Sequence, residues 1–433
     1  MSGKKVGATQ QAATTRQTKS VTRTKQSPAS HHSEHYEYVD LVIVGGGMVG
    51  LMLATALRHS GLHIVVVERA EAEIVQSLGR DCRVSAIVQG NVQTLQSLGV
   101  WQHLEDKAGA MSSMLIWDGQ EQGGIRFEAA EIKKDTLGYL LENSELVAAF
   151  KQTLKESADV EMLCPEVVES VVWKKAGVEV KLESGRCLST PLIVGADGAR
   201  SWLREQAEID VFQRDYGQKG IVATVKPRFS HQNTAFQRFL TTGPLALLPM
   251  QGDVCSIVWS ASNERAAELL SLSDEDFKDE LDLNLGGLLG GIVEVGQRAA
   301  FPLQAQLARH IVRSRLALIG DAAHSIHPLA GLGVNLGLRD AMVLAQEIVD
   351  AHKFDEDWGD MSVLNRYLKL RMPDVLATMV SMEALHQTFA AQWPAWVKLR
   401  GLGMKAMGNA GIVKQLLMKN STGLNLPVPH SIK

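Results

Sequence analysis

Cysteine is scarce: Cys82, Cys164, Cys187 and Cys255 are the only four in 433 residues, and no two are spaced Cys-x-x-Cys. That excludes a disulfide framework and a cysteine-built zinc site, and it suits a reducing compartment. No apolar run approaches the roughly 20 residues that a membrane-spanning helix needs, which argues against an integral membrane protein. No Gly-x-Ser-x-Gly nucleophile elbow occurs, and therefore no serine-hydrolase site of that kind. There is no internal repeat.

Acidic residues are missing from both ends. Residues 1–33 carry six Lys/Arg and no acid, and residues 384–433 carry another six and no acid. With a net charge of −4 overall, the body between them is acidic by about sixteen charges. An acidic body excludes a broad nucleic-acid-binding face. Basic ends suit an anionic membrane surface instead.

What is present fits a soluble globular chain, with 45% hydrophobic and 21% charged residues. The length points to two domains, or one with an appendage. Residues 1–35 are rich in Ser, Thr, Gln and Lys and read as a disordered extension. They lack the apolar core of a secretory signal. A mitochondrial transit peptide shares the basic composition but needs more arginine and an apolar face, so a cytoplasmic location is the expectation. His31, His32 and His35 in this tail are read as solvated side chains, not as a metal site.

Order begins at "VDLVIVGGGMVGLMLATALRHSGLHIVVVER". Val39–Val44 reads as an apolar strand, 48–60 as a helix stopped by Gly61, and 63–68 as a second strand, which together make a βαβ unit with parallel strands. The unit carries Gly45-x-Gly47-x-x-Gly50. Such glycines permit a tight turn and close approach of a pyrophosphate to backbone amides, with the helix N-terminus facing the phosphates. Glu68, at the end of the second strand, stands where a carboxylate accepts hydrogen bonds from an adenosine ribose, which favours FAD or NAD over NADP. The alternation in 215–260 predicts half-buried antiparallel strands. "LNLGGLLGG" lacks the Lys-Ser/Thr ending of a phosphate loop and reads as a helix end and loop. From Leu336 onward the pattern is mostly helical.

Two later stretches complete the pattern, "VGADGARSWLR" (194–204) and "LALIGDAAHSIHPLAGLGVNLG" (316–337). With the glycine fingerprint they resemble, in order, the three motifs of the aromatic flavoprotein monooxygenases. The resemblance runs from about residue 39 to the C-terminus and is strongest to the FAD-dependent hydroxylases of ubiquinone biosynthesis. "SWLR", "CSIVWS" and "VKQLLMKNSTGLNLPVP" look most like their 2-polyprenylphenol hydroxylase (VisC/UbiI) branch.

The resemblance implies an α/β fold of the p-hydroxybenzoate hydroxylase type. A Rossmann-like FAD-binding domain (38–110, 136–210, 300–350) would hold an inserted antiparallel β-sheet substrate domain (111–135, 211–299), and C-terminal helices would follow (351–433). It implies that Glu68 holds the adenosine ribose and that Arg83 lies along the phosphate-ribityl region. Asp197 and Gly198 would support FAD and the passage of the nicotinamide donor, and Asp321, after Gly320, would bind the ribityl hydroxyls. Pro328, Gly331 and Gly333 would pass beside the flavin ring, ahead of a helix beginning near Asn335. Independently of the resemblance, such a helix start presents amides and a positive dipole end, suited to the anion of a reduced flavin. Leu332 departs from the group, which carries Gln there, and removes a polar contact. His324 and His327 have no acid or cysteine spaced to complete a metal site and read as loop-bonding residues. No metal is expected.

No second glycine fingerprint exists, so NAD(P)H is expected as a transient donor without a domain of its own. The implied reaction is ring hydroxylation by O₂ through a flavin C4a-hydroperoxide, the cofactor carrying the difficult step. A polyprenylated phenol is the implied substrate. Alternatives are another ring position of a ubiquinone precursor, a soluble aromatic acid, or a non-catalytic FAD-binding subunit of a quinone-synthesis complex. The segment "FAAQWPAWVKLRGLGMKAMGNAGIVKQLLMK" interleaves Trp393, Trp396, Leu399 and Leu402 with lysines. It reads equally as a peripheral membrane contact and as a helix docked on the body.

Overall fold

Two kinds of strand pattern in this chain call for two kinds of sheet. Leu41–Val44 (β1) and Ile64–Val67 (β2) are apolar at every position and buried at every position. A strand covered on both faces belongs in a parallel sheet with helices on each side. In the computed structural model, which describes residues 35–71, 74–119, 124–326, 333–391 and 393–423, Met48–Leu57 (α1) makes the crossover between them. The sheet is completed by Val160–Leu163 (β3), Ile193–Gly195 (β4), Val312–Arg313 (β5) and Leu316–Leu318 (β6), in the order β3-β2-β1-β4-β6-β5. All neighbours are parallel except the edge pair β6–β5. The extension 1–34, with His31 and His32, lies outside the described residues, as do Pro328, Gly331, His327 and Leu332.

The second sheet obeys the alternating pattern. Val211–Pro227, Thr234–Leu240, Gly243–Pro249, Cys255–Ser262 and Ala299–Ala308 form its body. Pairing is antiparallel except where Ser113–Asp118 runs parallel to Thr234–Leu240. One face buries Ile221, Ala223, Val225, Ile257 and Trp259 beneath Phe277, Leu281 and Leu285 of the helix Asp274–Leu285. Phe236 belongs to this packed face, and Phe239, an odd number of residues along the same strand, belongs to the opposite one. The "LNLGGLLGG" run ends that helix at Gly286, in the left-handed region at φ +71°. A helix end and loop, not a phosphate loop, is what forms there.

Four helices follow: Gly333–Lys353 (α2), Met361–Ala390 (α3), Pro394–Asn409 (α4) and Gly411–Ser421 (α5). Helix α2 packs beside α1, where Gly337 admits it: a Cβ there would lie 2.7 Å from Val49 and 3.0 Å from the Gly320 Cα. The inner face of α3 is one stripe at helical spacing, Tyr367, Arg371, Val375, Met379, Met382, His386 and Phe389. Its first part packs on the parallel sheet and its last part on the large sheet. Helix α4 is pinned by Arg400, whose guanidinium donates to Asp118 Oδ2 at 2.7 Å and to the carbonyls of Thr388 and Phe389. Lys414 of α5 donates to Glu131 at 2.6 Å.

Candidate active site

Parallel strands bring their carboxyl ends to one edge, and ligands of such sheets bind outside that edge where the strand order reverses. Here the reversal lies between β1 and β4. The register aligns Val67, Val44, Gly195 and Leu318 across β2, β1, β4 and β6. One residue beyond them come Glu68 and Gly45, and two residues beyond come Asp197 and Gly320. Four sequence features scattered over more than half the chain thus become neighbours along one sheet edge.

The first turn is built by exclusion. Gly45 has φ +111°, and a Cβ there would sit 2.3 Å from the Ala196 carbonyl oxygen; one on Gly50 would sit 2.0 Å from the Gly45 oxygen. Neither position has room for a side chain. Gly47 differs: nothing lies within 4 Å of where its Cβ would be, and it is exposed at the start of α1. The loop is tight behind and open in front, as a pyrophosphate cradle must be. Glu68 Oε2 accepts from the Gly46 amide at 2.6 Å, and Oε1 from Ala70 at 3.2 Å. The carboxylate is therefore oriented by backbone donors beside the turn.

Asp197 follows β4 and braces the first turn of the short helix Trp202–Gln206, whose N-cap is Ser201, with Oδ2 accepting from the Leu203 amide at 3.1 Å. Oδ1 is buried and has no hydrogen-bond partner among the described residues. Burial raises this carboxyl's pKa, against the hydrogen bonds of Ser201 and Leu203, which lower it. Gly198 takes φ +84° with open space where a Cβ would stand. Arg204 ties this turn to the next one, donating to Ala199 and Ala322 carbonyls at 2.9 Å each.

The Gly320–Ala322 turn follows β6. Gly320 sits at φ +59°, and a Cβ there would press on Val49 at 3.1 Å. Asp321 keeps an exposed surface, yet the protein around it desolvates the carboxylate enough to raise its pKa. Behind the turn is a cluster absent from the sequence reading. Asp340 of α2 accepts from the Gly320 amide at 3.0 Å, from His324 Nε2 at 2.7 Å and from Arg371 Nε at 2.8 Å. All three side chains are buried. Burial pushes Asp340 up, but His324 and Arg371 outweigh it and hold its pKa below the ordinary value. Burial pushes His324 down, and the Asp340 charge outweighs that and raises it. Tyr367 donates to the Leu318 carbonyl at 3.0 Å, anchoring α3 to β6. Buried charges inside two otherwise apolar helix faces were the available signal.

Asn335, read as a cofactor residue, spends its side chain on the protein: Oδ1 accepts from Val88 and Asn91, and Nδ2 donates to Ala86. It fixes the first turn of α2, which begins at Gly333, against the strand Val84–Val88. Arg83 lies at the head of that strand, 3.5 Å from Asp81. His324 bonds Asp340, as a loop-bonding histidine would.

An open phosphate cradle, an oriented Glu68, an orphaned Asp197 oxygen and a solvent-facing Asp321 fit a flavin dinucleotide laid across the strand ends. Glu68 would hold its adenosine, Gly47 and α1 its phosphates, and Asp321 its sugar alcohol. FAD supplies the oxygen-activating redox chemistry there. The chain would supply orientation, and the amides at the α2 start would supply fixed dipoles.

Comparison with known proteins points to the same cofactor. The family model described as "FAD binding domain" matches residues 38–380. Ubiquinone hydroxylase UbiL of Rhodospirillum rubrum is 36% identical over 384 residues, 89% of each chain. The 3-demethoxyubiquinol 3-hydroxylase of Escherichia coli is 34% identical, over 89% of this chain and 98% of its own. In fold, p-nitrophenol 4-monooxygenase PnpA from Pseudomonas putida superposes with a TM-score of 0.76 at 20% identity, covering 90% of this chain and 99% of that one. The chain belongs to the FAD-binding-domain family, among the FAD-dependent aromatic-ring hydroxylases of ubiquinone biosynthesis.

Proposed function

We propose that the protein adds a hydroxyl to the ring of a polyprenylated phenol on the path to ubiquinone, using O₂ and electrons from NAD(P)H. The likeness to ubiquinone hydroxylases carries this reading, because it spans the large sheet as well as the cofactor half. The apolar cluster Phe239, Ile326, Leu336 and Met382, which lies between that sheet and the helices beside the cofactor turn, supports it. A soluble aromatic acid would call for a cationic anchor in that place. The residues that would serve are the thirteen expected from the sequence, with Asn335 acting on the protein side. Attack on a later, already methoxylated ring is the second reading, favoured by the relative that acts on 3-demethoxyubiquinol.

Contact with the inner face of the cytoplasmic membrane, where such a substrate dissolves, belongs to the same proposal. Among the described residues no helix is long and apolar enough to cross a membrane. Helix α4, however, exposes Trp396, Leu399 and Leu402 beside Lys398 and Lys405, just after the exposed Trp393. Trp and Leu with lysines on one helix suit an anionic interface. Association with other ubiquinone-synthesis proteins would use the same location.

The test is the quinone profile, by mass spectrometry, of cells lacking this gene and grown in air. Accumulated polyprenylphenol without the first added hydroxyl supports the first reading. A methoxylated, methylated intermediate supports the second. An unchanged profile overturns both.

A further inference from the structure

We infer that the polyprenyl chain of the substrate is seated along the inner face of α3, under a gate made by Phe239 and Phe389. This rests on the proposed substrate class and adds where the tail lies and what must move to admit it.

The rings of Phe239 and Phe389 are stacked, with centroids 3.6 Å apart and planes 10° from parallel. On one side of the pair is the apolar cluster of Ile326, Leu336, Met379 and Met382. Ile326 comes five residues after Asp321, and Leu336 is in the first turn of α2, so this side adjoins the cofactor turn. The same two rings also line a small cavity of about 40 Å³, with Leu240 and Pro244 of the large sheet and His386 and Ala390 of α3. The pair thus borders both an inner apolar cluster and an outer recess at the end of α3, whose lining also includes Gln218 and Thr241. Beyond that end stand the exposed Trp393 and Trp396.

Three physical features suit a branched, flexible hydrocarbon. Met379 and Met382 are unbranched and adapt their shape to a guest. Met379, Met382 and Phe389 share one face of the helix, so the track along its axis is apolar except at His386, which lies between the last two. Phe389 is half-buried near the last turn of α3, where a swing of the ring costs less packing than in mid-helix. Its position is set from outside: Arg400 lies over the ring, 4.9 Å from the centroid, and donates to the carbonyls of Thr388 and Phe389. Trp396 also donates to the Thr388 carbonyl at 3.1 Å. The helix that carries the exposed Trp396 therefore holds the gate residue directly. A tail arriving from a bilayer would meet α4 first, then the recess, then the Phe pair.

The test compares two phenols, one with a long polyprenyl chain in detergent micelles and one with a single prenyl unit. Enzymes compared are wild type, Met382→Trp, which fills the track, and Phe389→Ala, which removes the gate. FAD content serves as the check of folding. Met382→Trp is expected to lower the long-over-short ratio of kcat/KM by about tenfold or more, as filling a hydrophobic pocket does. Phe389→Ala is expected to raise it several-fold. Wild-type enzyme that hydroxylates both phenols, with variants that keep the ratio, overturns the tail seat and leaves the proposed function standing. Wild-type enzyme that hydroxylates neither overturns the proposed function itself. A second measurement needs no variant: a long-chain phenol bearing a photoreactive diazirine at mid-chain should label peptides of 379–390. Labelling confined to other segments overturns the seat.

Discussion

His324 Nε2 and Asp340 Oδ2 lie 2.7 Å apart with both side chains buried, and the same Asp340 oxygen accepts from the Gly320 amide at 3.0 Å. One carboxylate on α2 thus closes the turn that presents Asp321 and, through Arg371, fastens α3 behind it.

This pair makes stability depend on pH in a defined direction. The raised pKa of His324 means the folded state holds that proton more firmly than the unfolded chain. Its contribution is full below the ordinary histidine value of 6.5 and is lost as pH climbs through the folded value. The lowered pKa of Asp340 works oppositely: its contribution is present above the ordinary 3.8 and lost as pH falls through the folded value. The urea midpoint of wild type should therefore fall above neutral pH, and His324→Gln should flatten that slope. Equal slopes would mean that the His324 pKa is not raised in the folded state. Asp340→Asn, which breaks buried pairs on two sides, should cost about 3–5 kcal/mol.

Gly47 and Gly50 should respond oppositely to alanine. Gly50→Ala drives a methyl into the Gly45 carbonyl and should yield little folded protein. Gly47→Ala has free space in the protein and should fold with an unchanged melting temperature. Its methyl would occupy the cradle, so FAD affinity should fall about tenfold or more, by the close-approach argument for such glycines. Fluorescence titration of apoprotein with FAD checks this.

Asp321→Ala should separate binding from folding. The carboxylate makes no hydrogen bond to protein among the described residues, and the residue is exposed. Removing it should leave the unfolding midpoint intact and weaken FAD by about ten- to a hundredfold, the range for hydrogen bonds to a charged group. Equilibrium dialysis of the variant gives the constant; unchanged affinity would remove Asp321 from the site.

Helix α4 should carry membrane binding. Vesicles with anionic lipid should float the protein at low salt and release it as salt rises. Replacing Trp393, Leu399 and Leu402 together by serine should abolish flotation without loss of FAD, since these side chains are exposed. Flotation that survives the triple change would place the contact elsewhere.

Much of this protein was legible in the sequence because its signals are local. An all-apolar strand, a glycine turn and an apolar helix dictate a βαβ unit whatever surrounds them, so β1, α1 and β2 fell within a few residues of expectation. The helix end at Gly286 was equally local, fixed by the glycine's left-handed conformation. Asn335 shows the limit. The sequence marks it as part of the cofactor loop, but only the fold shows that its amide is consumed by Ala86, Val88 and Asn91, some 250 residues away along the chain.

What the sequence determined by itself is the cofactor chemistry, because a phosphate cradle and acids at strand ends are short-range motifs with little steric freedom. What only the tertiary structure decided is how those motifs meet. Strand order places Glu68, Gly45, Asp197 and Gly320 along one edge, and long-range charges such as Asp340 with Arg371 lock the turn between two helices. The Phe239–Phe389 contact joins a sheet to a helix 150 residues later. Such pairings depend on loop closure and packing across the whole chain, which no window of the sequence contains.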